Sequence, residues 1–529
     1  MLIFAAILIS LLVPLVVMAL SFSRLRSGLL WLVTIASAFL VWLLVFLMKN
    51  QLPFEVFLPG WPIYNLRLSP PGLLVDRISW PFALAVATLP FATLLVDVVN
   101  IRELDPQVWA SNLALGGVGL IAVVAGNPLT LLLAWAVVDV AESAVLLYRM
   151  RSSSDRERVV ITFSIRVAGM FLLLVAMLRA WSLDLVFDFT AIPVEVSGFL
   201  LLAAGLRLGI LPTNQTTLKE SIQRRGLGTL MRFVPVATSV VFIVRVATVG
   251  VAKFWITPFM ILSAIAAISG SVAWVRSKDE LEGRPYWIVC FTALCVMSAT
   301  YKVPVAGLVW GLALLFSGSV LFFYIRHQRF VFGFLLLGFL GFSALPFTPA
   351  WDGVVLLDAI PWVYRIVVIF ALALLFVGYL QFARSSHTME VQEHLERWMW
   401  IVYPLGLGSL LFTYFGLIYS QWGWDFRVIS FQSSGWWYGF VPLGLAALLV
   451  IWEQRRTPSM SPNLIKTGEI INFNWIYILV WRIYRLFGRL IQLFSLLLEG
   501  DGGILWALLI LILLVVSLSF GLSGGGFEF

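Results

Sequence analysis

The chain has 529 residues, of which 61% are hydrophobic and 12% charged, against about a quarter charged in average soluble chains. That balance reads as a polytopic membrane protein and leaves no loop long enough to build a soluble core. The formal net charge of +8 comes from arginines in short loops, as the positive-inside rule produces, so it does not point to nucleic acid as a partner.

The apolar run Met1–Phe22 has no basic region before it and no cleavage site after it, so it reads as a retained helix. Runs of bilayer length predict further helices near 28–48, 79–99, 108–126, 128–148, 158–180, 195–211 (broken), 228–250, 254–274 and 285–301. More follow near 305–325, 330–360 (broken near its middle), 361–383, 398–420, 435–452 and 503–521. The fold class is all-α, with about 16 crossings. Between the second and third helices, Asn50–Arg77 predicts a short outside hairpin around Trp61–Leu68. Ile471–Leu498 carries Arg482, Arg485, Arg489 and Gln492 at helical spacing among aromatic residues. It reads as an amphipathic lateral helix on the inner surface, either anchored on anionic lipid or bracing neighbouring subunits.

Loop charges set the orientation. Arg24 and Arg26, then Arg149 to Arg158, Lys219 to Arg225, Arg276 to Arg284, Arg326 and Arg329, and Arg455 and Arg456 all fall on one side if both termini lie outside. The opposite loop from Ser182 to Glu195 holds Asp184, Asp188 and Glu195. The expected location is the bacterial cytoplasmic (inner) membrane.

Polar groups inside the apolar runs carry the functional signal. Asp139 and Glu142 stand one helical turn apart in the fifth helix and so face the same way. Arg166 in the sixth helix is their natural partner. The set reads either as a static ion pair holding helices together or as a proton or ion site. In the seventh helix, Arg207 sits just before Pro212 and a polar stretch, the pattern of a discontinuous helix lining a path. The alternative is a helix end whose arginine snorkels to the surface. Arg232 and Arg245 lie thirteen residues apart in the eighth helix, with one or both expected to reach the surface. The second break, Ser343–Gly353, holds Pro346 and Pro349, with Asp352 just after them. Two breaks in separate halves of the chain suggest an inverted repeat. The path candidates are therefore Asp139, Glu142, Arg166, Arg207, Lys219, Arg232 and Asp352. Cys290 and Cys295 share one apolar run, and His387, Glu390 and His394 read as ordinary loop residues, so no metal or cofactor is expected.

At these residues the chain resembles the antiporter-like membrane subunits of respiratory complex I, Mrp-type cation/proton antiporters and membrane-bound hydrogenases. Leu74–Phe82 is similar to the family's Val-Asp-Gly-Leu-Ser-x-Pro-Phe before helix 3, and Ile165–Gly169 to its Asn-Arg-Val-Gly-Asp on helix 6. Gly205–Pro212 looks like its Gly-x-x-x-Lys-x-x-x-x-Pro on broken helix 7. Ile261–Trp274 with Asp279, Pro285 and Tyr286 follows helices 9 and 10, and Gly341–Gly353 resembles broken helix 12. The resemblance implies a first repeat at 127–274 and a second at 275–420. They are preceded by helices 1–4 (1–126) and followed by 421–529, with the lateral helix and final crossing. It also implies partners, namely other integral membrane subunits of a larger complex.

The departures from the family bear on function. The helix 5 glutamate that the family places beside a tryptophan is replaced by Ala136 after Trp135, with the acids displaced to Asp139 and Glu142. The helix 7 lysine position holds Arg207, and arginine stays charged where lysine can lose its proton. Helix 8 offers no central lysine, Leu314–Ser319 fills the lysine region of helix 11, and Val354 aligns with the lysine of helix 12. The leading expectation is a degenerate module with a structural or coupling role and reduced proton translocation, not catalytic by itself. The alternatives are an active antiporter subunit using Asp139, Glu142 and Asp352, and a polytopic enzyme acting on a lipid-linked substrate with Asp184 and Asp188.

Overall fold

The computed structural model describes residues 2–22, 27–57, 70–100, 105–150, 152–209, 221–325, 331–385, 398–419, 435–455 and 482. Two compact units divide the chain, Met1–Ile471 and Asn472–Phe529. The lateral helix expected at 471–498 (Arg482 apart), the final helix at 503–521, Lys219 and the three histidines lie outside the described residues.

Sixteen α-helices are described: α1 (Leu2–Ser21), α2 (Ser27–Leu47), α3 (Ser79–Val96), α4 (Pro106–Val123), α5 (Pro128–Arg149), α6 (Ser153–Ser182), α7 (Val194–Leu208) and α8 (Ser221–Val249), followed by α9 (Lys253–Arg276), α10 (Glu280–Thr300), α11 (Pro304–Phe323), α12 (Phe332–Phe342), α13 (Val355–Ala359), α14 (Trp362–Ser385), α15 (Met399–Tyr419) and α16 (Gly435–Arg455). Eleven of the described helices are long and apolar enough to cross a membrane. Local chemistry fixes their ends. The Asn127 side chain accepts from Thr130 N at 2.8 Å to start α5, and Asp279 accepts from Glu282 N at 2.6 Å to start α10. Pro106, Pro128 and Pro304 open α4, α5 and α11.

The helices α3, α8 and α11 are almost wholly buried, whereas α1, α2, α6 and α9 keep exposed apolar faces. Beside this centre, Trp274 of α9 and Trp287 of α10 meet at 5.3 Å, and Trp287 stands edge-on to Phe342 at 5.1 Å. These offset contacts suit the aromatic quadrupoles and fill the space between α9, α10 and α12.

Both expected breaks are present. At 15 residues, α7 spans about 22 Å, short of a bilayer core, and it stops at Gly209 in the left-handed region (φ +72°). The twelfth predicted crossing is split into α12 and α13, joined by an irregular stretch and a 3₁₀ turn at Trp351–Val354. The expected hairpin pairs β1 (Phe54–Phe57) with β2 (Gly72–Val75), antiparallel with Phe54 opposite Val75. Its strands flank the Trp61 stretch, and residues 58–69 lie outside the described residues. Gly72 N donates to Thr130 Oγ1 at 2.9 Å and Leu74 N to Val124 O at 2.7 Å, which docks the hairpin over the α4–α5 junction.

Candidate functional site: a buried ion cluster between α5, α6 and α7

Trp135, Asp139 and Glu142 occupy successive turns of α5 and share one face. Asp139 is 0% exposed and Glu142 2%. Arg207 of α7 donates to both oxygens of Asp139, Nη1 to Oδ2 at 2.5 Å and Nη2 to Oδ1 at 2.9 Å. Arg166 of α6 holds Glu142 with both Nη atoms, Nη2 to Oε1 at 3.2 Å, and its Nη1 also reaches Asp139 Oδ1 at 3.4 Å. Asp139 therefore bridges two guanidinium groups, and the four charges sum to zero. The fork of arginine matches a carboxylate at two points, which a lysine cannot do.

The packing around the cluster is specific. The Arg207 guanidinium carbon lies 4.2 Å from the Trp135 ring centroid, a cation–π contact. The Trp135 indole N–H donates to Thr238 Oγ1 of α8 at 3.2 Å, and its ring meets Phe242 edge-on at 5.6 Å. Gly169, one turn after Arg166, lets α6 approach α7: a Cβ there would come within 2.8 Å of Ala203 O and 2.9 Å of Arg207 Cγ. Arg232 of α8 is also buried and lies within electrostatic reach of Glu142 and Arg166.

Sequence and structure agree on Asp139, Glu142 and Arg166 as one group, and Arg207 joins them in direct contact instead of acting across the bundle or snorkelling to the surface. Arg232 and Arg245 correct the expectation that one or both reach the surface, since both are buried. Arg245 is held by Asp76, Nη1 to Oδ2 at 2.9 Å and Nη2 to Oδ1 at 3.3 Å, and Asp76 also caps α3 by accepting from Ser79 N at 2.7 Å. Asp352 stands apart, buried in the 3₁₀ turn after the second break, and its Oδ1 has no hydrogen-bond partner among the described residues. In the loop between α6 and α7, burial pushes the Asp188 carboxyl above its usual range, opposed by the Phe189 N–H and by Arg245.

Two buried features escaped the sequence reading. Arg225 of α8 binds Glu280 of α10 at 2.5 Å and the Tyr324 carbonyl at 2.6 Å. Asp97 closes the apolar run of α3. An acid inside such a run was the available signal for Asp97. Nothing short of the fold pairs Arg225 with a residue 55 positions away.

No protein-family model matches the chain, and no curated protein matches it in sequence. Solved structures do match in fold. A chain of the Mrp complex from Dietzia sp. DQ12-45-1b superposes with a TM-score of 0.70 at 13% identity, covering 98% of this chain. This chain spans 63% of the length of that one. The membrane-bound sulfane sulfur reductase, an archaeal respiratory membrane complex, contains a chain with a TM-score of 0.62 at 14% identity, over 97% of this chain and 100% of that one. Respiratory complex I from Thermus thermophilus contains another, with a TM-score of 0.58 at 15% identity, over 79% and 98%.

Proposed function

We propose that this integral membrane protein, which has the fold of the antiporter-like membrane subunits, serves in a multisubunit membrane complex as a structural or coupling module with little proton translocation of its own. The observation that carries this reading is the bidentate Arg207–Asp139 pair. A relay needs a group that gains and loses a proton at working pH. Here that position holds an arginine, which keeps its charge and clamps the nearest acid. Arg166 does the same to Glu142, so both carboxylates of α5 are committed to fixed partners.

In this reading α5–α9 and α10–α15 form the two inverted repeats, and both termini lie on the outer side of a bacterial inner membrane. The partners are other integral subunits, with anionic lipid against the lateral segment. A second reading, an active ion-translocating subunit, draws on Asp352, a buried carboxylate beside a broken helix.

Flux measurements separate the two. The purified chain in liposomes is expected to pass protons and sodium no faster than empty vesicles. Robust flux that Glu142→Ala abolishes overturns the structural reading. Flux abolished by Asp352→Asn, with Glu142→Ala silent, favours the second. Membrane extraction is a further check: recovery of the chain as a stable solitary monomer contradicts a subunit role.

A further inference from the structure

Asp97 opens the 3₁₀ turn Asp97–Asn100 at the end of α3 and is 4% exposed. Asn112 of α4 faces it, fully buried, with Nδ2 3.5 Å from Asp97 Oδ2 and its own Oδ1 without a hydrogen-bond partner among the described residues. On the third side is Gly226 of α8. A Cβ there would collide with Asp97 Oδ1 and lie 3.0 Å from Oδ2, so the absent side chain is what admits the carboxyl group.

Among the described residues, the groups around this carboxyl offer it no counter-charge. Arg225, next to Gly226 on α8, gives its guanidinium to Glu280 at 2.5 Å and to the Tyr324 carbonyl at 2.6 Å. On α4, Trp109 contributes a neutral indole one turn before Asn112. Thr93 of α3 returns its hydroxyl to Leu89 O at 2.7 Å. The α15 helix carries no Asp, Glu, Lys, Arg or His. Its Tyr403 hydroxyl accepts from Ile325 N at 2.7 Å, and its Tyr414 hydroxyl donates to Gly341 O at 2.9 Å. Among the described residues, no cationic side chain pairs with Asp97.

A buried carboxylate without a cation is the costly form of the group, and the neutral acid is the form that such surroundings accommodate. The neutral acid also brings an O–H donor, which needs an acceptor. Asn112 Oδ1 is an acceptor lacking a donor, and a half-turn of the amide exchanges Nδ2 with Oδ1 at the position facing Asp97. We propose that Asp97 is a proton-binding site, held as a carboxylic acid whose O–H donates to Asn112 Oδ1, at the junction of α3, α4 and α8. It shares no residue with the α5–α7 cluster, so it stands whether or not that cluster conducts.

Infrared spectroscopy of the full chain in lipid nanodiscs tests this directly, because a protonated carboxyl group has a C=O stretch that shifts in D₂O. At neutral pH the wild type is expected to show such a band, lost in Asp97→Asn and kept in Asp352→Asn. The band should bleach as the pH is raised. Asn112→Val, which leaves Asp97 in place, should move the band to higher frequency as the hydrogen bond is lost. This second variant keeps the test open if Asp97→Asn fails to fold. The absence of an Asp97-dependent band at neutral pH overturns the proposal, as does a band that Asn112→Val leaves unmoved. Loss of the band when sodium replaces potassium at constant pH assigns the site to a metal cation and equally overturns it.

Discussion

Arg207→Leu is the most informative single perturbation of the ion cluster. It removes two charge-assisted hydrogen bonds from Asp139, at 2.5 and 2.9 Å, and leaves that carboxylate one longer contact to Arg166 at 3.4 Å. At about 1.5–3 kcal/mol for each bond to a charged group, the loss comes to about 3–6 kcal/mol. This agrees with the roughly 3–5 kcal/mol cost of stranding one member of a buried ion pair. Asp139→Leu strands Arg207 and should cost a similar amount. Independent effects would bring the double variant to about 6–10 kcal/mol. The double variant, however, leaves Arg166 and Glu142 as a balanced pair, so its stability should be no worse than that of either single variant. Reversible unfolding in mixed micelles, followed by tryptophan fluorescence, gives all three free energies. Additive losses would refute the reading that Asp139 and Arg207 act as one unit.

Two further variants probe the supports of the cluster. Trp135→Phe keeps an aromatic face under Arg207 but deletes the N–H given to Thr238, and it should lower stability by about 1 kcal/mol in the same assay; a neutral result removes the indole hydrogen bond from the account. Gly169→Val forces α6 away from Ala203 O and Arg207, and it should cost at least about 1–3 kcal/mol while making Arg207→Leu less damaging than it is in the wild type; unaltered sensitivity to Arg207→Leu contradicts the close-approach role.

The described crossings and both helix breaks could be read from the sequence because bilayer length and proline act locally. Asp139, Glu142 and Arg166 could be grouped because α5 and α6 are consecutive and a buried charge demands a partner. The contact between Arg207 and Asp139 spans 68 positions and depends on how α7 packs, so sequence gave its charge but not its geometry. Arg245 shows the same limit. Near a helix end it reads as a surface group, yet Asp76, 169 positions away, draws it inward by serving as both helix cap and counter-ion. At the edge of an apolar run a single acid such as Asp97 looks like a boundary, and only the approach of Gly226 encloses it.

The electrical neutrality of the Asp139, Glu142, Arg166 and Arg207 quartet has a consequence for the membrane potential. A potential of 100 mV does about 2.3 kcal/mol of work on each elementary charge that crosses it. A quartet of zero net charge that shifts as one body contributes nothing to that work. Movement of the quartet alone is then hardly driven by voltage, and the buried charge beside it on which the field does act is that of Arg232.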